Sequence, residues 1–90
     1  MSAIHVNDQS FTTEVVDSSR PVLVDFHATW CGPCRAMSPI VDEVAEEIGD
    51  RARVVKANVD ESPDAAAKYG VQSIPAFVVL KNGEVQDSFT

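Results

Sequence analysis

The sequence predicts an α/β fold: a β-sheet that is partly parallel, with antiparallel additions, and strands that alternate with helices. Three observations carry that expectation. Strand-like and helix-period stretches alternate along the 90 residues. One run, Val22-Leu23-Val24-Asp25-Phe26, is almost continuously apolar, as a strand buried on both faces must be. Near the end, Asn82-Gly83 is a hairpin signal that adds an antiparallel pair. The length fits one domain, residues 1–90.

The elements follow in order. Residues 3–6 read as a short first strand. Asn7 or Asp8 can cap a helix whose inward face carries Phe11 and Val15, four apart. Arg20-Pro21 breaks it, and residues 22–26 form the second strand. The next helix carries the apolar stripe Met37, Ile40, Val41, Val44 and Ile48. Asp42, Glu43, Glu46 and Glu47 lie off the stripe. Pro39 sits inside this helix and is expected to kink it, and Gly49 is its C-terminal cap. Residues 53–59 are a third strand. Ser62-Pro63 opens a third helix, with Ser62 as cap and Pro63 at the first helical position. Gly70 ends it, residues 76–80 form a strand, and the hairpin leads to a last strand over residues 85–89.

Charge and composition exclude several classes. Seven basic against fourteen acidic residues leave a net charge of -7, which disfavours nucleic-acid binding. No apolar run approaches the roughly 20 residues of a membrane span. Met1-Ser2-Ala3-Ile4-His5 has neither the basic patch nor the apolar core of a secretory signal, so a cytoplasmic chain is expected.

The chemistry concentrates in Trp30-Cys31-Gly32-Pro33-Cys34, between the second strand and the second helix. It holds both cysteines. Two thiols at this spacing can close a small disulfide ring without moving the rest of the fold. Unpaired N–H groups and the positive dipole end at a helix start favour a thiolate. The thiolate attacks in disulfide exchange, and the second thiol is placed to resolve the mixed disulfide. Zinc is the rival reading of a cysteine pair. The histidines, His5 and His27, lie upstream and 22 residues apart, without the second close-spaced ligand cluster a zinc module needs.

These residues belong to a wider pattern. Val24-Asp25-Phe26 precedes the cysteine motif; Pro39, Lys56, Asp60, Tyr69-Gly70-Val71, Ile74-Pro75 and Asn82-Gly83 follow in order. On these motifs the chain resembles the thioredoxin family over almost its whole length. The resemblance implies a thioredoxin-like fold, a central mixed sheet flanked by helices, and a protein-disulfide reductase. Cys31 is then the exposed nucleophile and Cys34 the shielded resolving thiol, forming a redox-active disulfide. Asp25 lies behind Cys34 and helps remove its proton through water, with Lys56 as a charge partner. Trp30, Gly32, Pro33, Ile74 and Pro75 form the surface for disulfide-containing protein substrates, with Ile74–Pro75 in cis. An NADPH-dependent thioredoxin reductase regenerates the dithiol. The chain has no nucleotide-binding glycine motif, so no bound cofactor is expected.

Residue chemistry supplies independent readings. Asp25 interrupts an apolar strand, and burial there raises a carboxyl pKa. Proline between the cysteines stiffens the loop and starts the helix, which favours the dithiol and hence a reductant. His27 stands where the family often has an aromatic residue. It lies two residues beyond Asp25, so the two side chains can share a face. Tyr69, Phe77 and Met37 read as core.

Thioredoxins continue with one more helix, and this sequence stops at Thr90. A C-terminally shortened fold is therefore expected, with apolar side chains of residues 77–80 open to water. Self-association through that face is the expected consequence. The alternative function is a shortened binding or scaffold module with weak or no redox activity.

Overall fold

The computed structural model describes residues 3–90. Among them, five strands form one sheet in the order β1-β3-β2-β4-β5. They are β1 (Ile4–Val6), β2 (Val22–His27), β3 (Arg53–Asn58), β4 (Ala76–Lys81) and β5 (Glu84–Phe89). The neighbours β1/β3 and β3/β2 run parallel, whereas β2/β4 and β4/β5 run antiparallel. The expected mixed sheet is thus formed, with the buried run of β2 at its centre.

Among the described residues, three α-helices flank the sheet: α1 (Asp8–Phe11), α2 (Gly32–Ile48) and α3 (Pro63–Lys68). The Asn7 side chain accepts the amides of Gln9 and Ser10, and the Ser10 hydroxyl receives the Asn7 amide in return. That reciprocal cap starts α1. The helix then widens into a π-helical turn over Thr12–Val16, which buries Val15. Gly49 ends α2 at φ 59°.

Alternation along the strands sends even- and odd-numbered side chains of β2 to opposite faces. Val22, Val24 and Phe26 join Val55, Ala57, Val78 and Leu80 in one core, closed by Phe11 and Val15 and by Ala65 of α3. Phe26 is fully buried and stacks on Phe11, ring centroids 6.4 Å apart. On the opposite face a smaller core of Val41, Ala45, Val54 and Phe77 lies under α2. Leu23, Met37 and Ile48 pack against it. The same face also carries Asp25 and Lys56, and the site is built there.

Three expectations are corrected. Ile40 is 49% exposed and leaves the stripe; Val41 is buried and Met37 and Ile48 are partly buried as expected, and Cys34 and Ala45 are buried with them. Ile40 lies one residue, about 100° of helical rotation, from Val41, which puts it on the flank. Ser62 makes no side-chain cap on α3. Its hydroxyl is buried and donates to the Val6 carbonyl, while the Asp8 carboxylate accepts the Asp64 and Ala65 amides at 2.9 and 3.1 Å. The cap thus comes from the first helix, 56 residues upstream.

The third correction concerns residues 77–80. Phe77, Val78 and Leu80 are buried, not open to water. Val78 and Leu80 point into the first core, and Phe77 packs under α2 and stacks on Phe89 with ring centroids 5.3 Å apart. The exposed apolar residues of this region are Val85 and Phe89 on β5 and Ile40 on α2. The patch on which association was expected is therefore not formed by those strand residues.

Candidate active site

The site forms where the C-terminal end of β2 meets the start of α2. Strand β2 ends on His27, whose carbonyl accepts the Val59 amide at 2.8 Å. Residues 28–31 turn the chain, with the Cys31 amide bonded to the Ala28 carbonyl at 3.2 Å. Cys31 is the N-cap residue of α2, in extended backbone geometry, and Pro33 lies in the first helical turn. The fixed φ of proline suits that position, and its missing N–H is one the helix could not use there.

Cys31 and Cys34 are joined in a disulfide, with Cα atoms 5.2 Å apart. The Cys34 amide donates to Cys31 Sγ at 3.2 Å. Helix-start N–H groups aimed at a sulfur stabilise it as a thiolate once the disulfide opens. The expectation of an exposed Cys31 is corrected: in this oxidised state Cys31 and Cys34 are 6% and 4% exposed. The disulfide draws both sulfurs into one small cluster with Ala28, against which Val59 and Ile74 pack. Position separates the two cysteines where exposure does not. Cys31 caps the helix and lies with Sγ 3.9 Å from the Ile74 carbonyl oxygen, whereas Cys34 lines the cavity behind.

Around the pair stand the other sequence-predicted residues. The Ile74–Pro75 peptide is cis, and its loop brings the Ile74 carbonyl over Cys31. Trp30 is 67% exposed, with its indole N–H donating to Asp60 at 3.0 Å. Gly32 and Pro33 are exposed beside it. The Arg35 guanidinium donates to the Thr29 carbonyl at 2.7 Å, which ties the first helical turn back to the loop.

Behind the disulfide lies a cavity of about 210 Å³, lined by Asp25, His27, Cys34 and Lys56 among others. Asp25 on β2 is in register with Lys56 on β3, and Lys56 with His5 on β1. This one row of the sheet therefore carries three ionisable side chains beneath α2. Asp25 is 2% exposed. Burial pushes its carboxyl from 3.8 up to about 6; the Lys56 charge opposes this and the Asp42 charge adds to it.

Lys56 is not bonded to Asp25. Its buried ammonium donates to the Ser38 hydroxyl at 2.7 Å and pairs with Asp42 at 3.1 Å. Its hydrogen bond and charge hold Asp42 below the usual carboxylate range. Sequence reading found Lys56 but missed Ser38 and Asp42. The signal was available, because 34, 38 and 42 are successive four-residue steps on one helix face. Among the described residues, no group of three or more His, Cys, Asp or Glu side chains is placed to hold a metal ion. No helix of the described residues is long and apolar enough to cross a membrane.

Comparison with known proteins gives a consistent result. The family model described as Thioredoxin matches residues 2–90. Thioredoxin 1 of Synechococcus elongatus is 50% identical over 86 residues, covering 96% of this chain and 80% of that protein. Thioredoxin of Pyropia yezoensis is 52% identical over 88 residues, covering 98% and 82%. Thioredoxin of Rickettsia prowazekii is 48% identical over 84 residues, covering 93% and 80%.

Proposed function

The chain belongs to the thioredoxin family and is a thiol–disulfide oxidoreductase with protein-disulfide reductase activity; on that premise we propose how its residues divide the work. Cys31 is the nucleophile. Its thiolate attacks a substrate disulfide, one substrate sulfur leaves with the electron pair of the broken bond, and a Cys31–substrate mixed disulfide forms. Cys34 then attacks Cys31 Sγ. The second substrate sulfur leaves as a thiolate and takes up a proton, and the Cys31–Cys34 disulfide closes. The protein dithiol is oxidised by two electrons, and the substrate disulfide is reduced to two thiols.

Asp25 accepts the proton that Cys34 gives up, through water in the shared cavity. A carboxyl raised to about 6 is mostly ionised at pH 7, yet basic enough to take a proton. Lys56 sets the field in which it does so. The exposed Trp30, Gly32 and Pro33, with the Ile74–Pro75 loop, receive the substrate, whose extended backbone pairs beside Cys31. A flavoprotein thioredoxin reductase fed by NADPH restores the dithiol, in the cytoplasm, and the protein needs no bound cofactor of its own.

The observation that carries the division of labour is the Cys34 amide aimed at Cys31 Sγ at the start of α2. The test is trapping on a disulfide-bonded protein substrate. Cys34→Ser is expected to accumulate a mixed disulfide at Cys31, and Cys31→Ser to accumulate none. Trapping through Cys34 alone would reverse the roles.

A further inference from the structure

Two buried side-chain atoms beside the cavity behind Cys34 have no protein partner: Asp25 Oδ1 and His27 Nε2. Unpartnered polar atoms are costly to bury and are kept where they have work to do. Asp25 has such work in the resolving step. His27 has none in the scheme above.

The surroundings of His27 are specific. It lies two residues beyond Asp25 on the same face of β2, so its ring and the Asp25 carboxyl both project beneath α2. His5 of β1 meets it edge-on, ring centroids 6.1 Å apart and planes at 71°. Lys56 of β3 and Glu61 of the following loop act on its charge, and Cys34, Arg35 and Asp42 face the region from α2. The cavity has room for several waters, and Asp25, His27, Ser38 and Lys56 are among the residues that line it.

We propose that His27 is a positioning residue of the resolving step, its imidazole sharing with Asp25, through cavity water, the proton released by Cys34. Burial, and then the charges of His5 and Lys56, hold the imidazole below its usual pKa of 6.5, with Glu61 opposing. At pH 7 the ring is neutral and keeps one nitrogen lone pair as an acceptor. The step balances as before. Cys34 Sγ bonds to Cys31 Sγ, the Cys31–substrate bond breaks toward the substrate sulfur, and the proton passes to carboxylate or imidazole and on to solvent. The substrate disulfide is the oxidant and the protein dithiol the reductant. The inference rests on the assignment of Cys34 as the resolving thiol.

The test uses reduced protein and 5,5'-dithiobis(2-nitrobenzoate). Attack by Cys31 releases the first nitrothiobenzoate, and resolution by Cys34 releases the second. The second phase is followed from pH 5 to 8 in the wild type, Asp25→Asn, His27→Phe and the double variant. With Asp25→Asn, the rate is expected to keep an inflection below pH 6.5, which the double variant lacks. At pH 7.5 the double variant is expected to be about tenfold slower than Asp25→Asn, a modest share of what general bases contribute. A purely packing role for His27 would slow both phases alike at every pH. Equal second-phase rates for Asp25→Asn and the double variant at all pH values would overturn the proposal. A second release that persists in Cys34→Ser would instead overturn the assignment on which it rests. Where His27→Phe fails to fold, the wild-type imidazole titrated by NMR decides. Its midpoint is expected to differ between oxidised and reduced protein, and equal midpoints would refute the link to Cys34.

Discussion

Asp25→Asn tests the electrostatics of the cavity through stability. The substitution keeps the side chain's shape and removes its ability to ionise. In the folded protein the carboxyl pKa is raised from 3.8 to about 6, chiefly by burial. The sign follows from linkage: between those values the unfolded chain has lost the proton that the folded chain retains. Folding is therefore favoured most below pH 3.8, and that stability is lost as pH rises through 6. Two units at 1.36 kcal/mol each amount to roughly 3 kcal/mol. Against a total of about 5–15 kcal/mol this is a large fraction. Asp25→Asn removes the penalty, so at pH 7.5 the oxidised variant is expected to be more stable by up to about 3 kcal/mol. In a domain of this size that raises Tm by ~10–20 °C. Urea unfolding at pH 4, 5, 6, 7 and 8 measures it. The advantage should fade toward zero by pH 4, where the folded carboxyl keeps its proton. An advantage independent of pH, or none at pH 7.5, would refute the reasoning, because neither can arise from a raised carboxyl pKa.

Three further outcomes are expected. Lys56→Met removes the charge that pulls Asp25 down, so its NMR titration midpoint is expected to rise above about 6, while Asp42 moves back up toward the ordinary range. Gly83→Ala places a Cβ 3.2 Å from Val16 Cγ1 and 3.3 Å from the Val16 carbonyl oxygen, at φ +78°. It is expected to lower stability by roughly 1–2 kcal/mol or more in urea unfolding, since L-residues disfavour that backbone region. Asp8→Ala removes the acceptor for the Asp64 and Ala65 amides and is expected to cost about 1 kcal/mol, the loss of one helix cap.

What the sequence makes legible follows from how local the determining physics is. The β2 run, the Asn82-Gly83 hairpin and the helix beside the cysteine motif depend on neighbours two to four residues away, and each forms, the helix starting at Gly32, inside the motif rather than after Cys34. The α3 cap does not: the sequence offers Ser62, and the fold uses Asp8, because packing of α1 beside α3 brings a carboxylate to amides that no local pattern connects to it. Residues 77–80 are misread for a related reason. Their burial depends on Phe11 and Val15 and, for Phe77, on Val41 and Ala45 of α2, contributed by elements far away in sequence, together with Phe89 across the hairpin. Within the site, cysteines and proline announce themselves by type and spacing. Ser38 and Asp42 are common surface residues; their four-residue steps from Cys34 put them on one helix face, and the register Asp25–Lys56–His5 shows what lies beneath that face.

The pairing of Lys56 with Asp42 has a chemical consequence. A lysine hydrogen-bonded to Asp25 would favour the carboxylate strongly and drive its pKa below the ordinary range, as Lys56 does to Asp42. Asp25 would then be ionised at every working pH and a poor acceptor of a thiol proton. By binding Ser38 and Asp42 instead, Lys56 acts on Asp25 only through its field. Burial is left as the larger effect, and Asp25 Oδ1 stays without a protein partner. The two influences leave the carboxyl at about 6, close enough to neutrality for it both to take up a proton and to release it. The helix face that carries Cys34, Ser38 and Asp42 thus does two things at once. It sets Cys34 over the cavity, and it draws the lysine away from the carboxylate, which keeps that carboxylate basic.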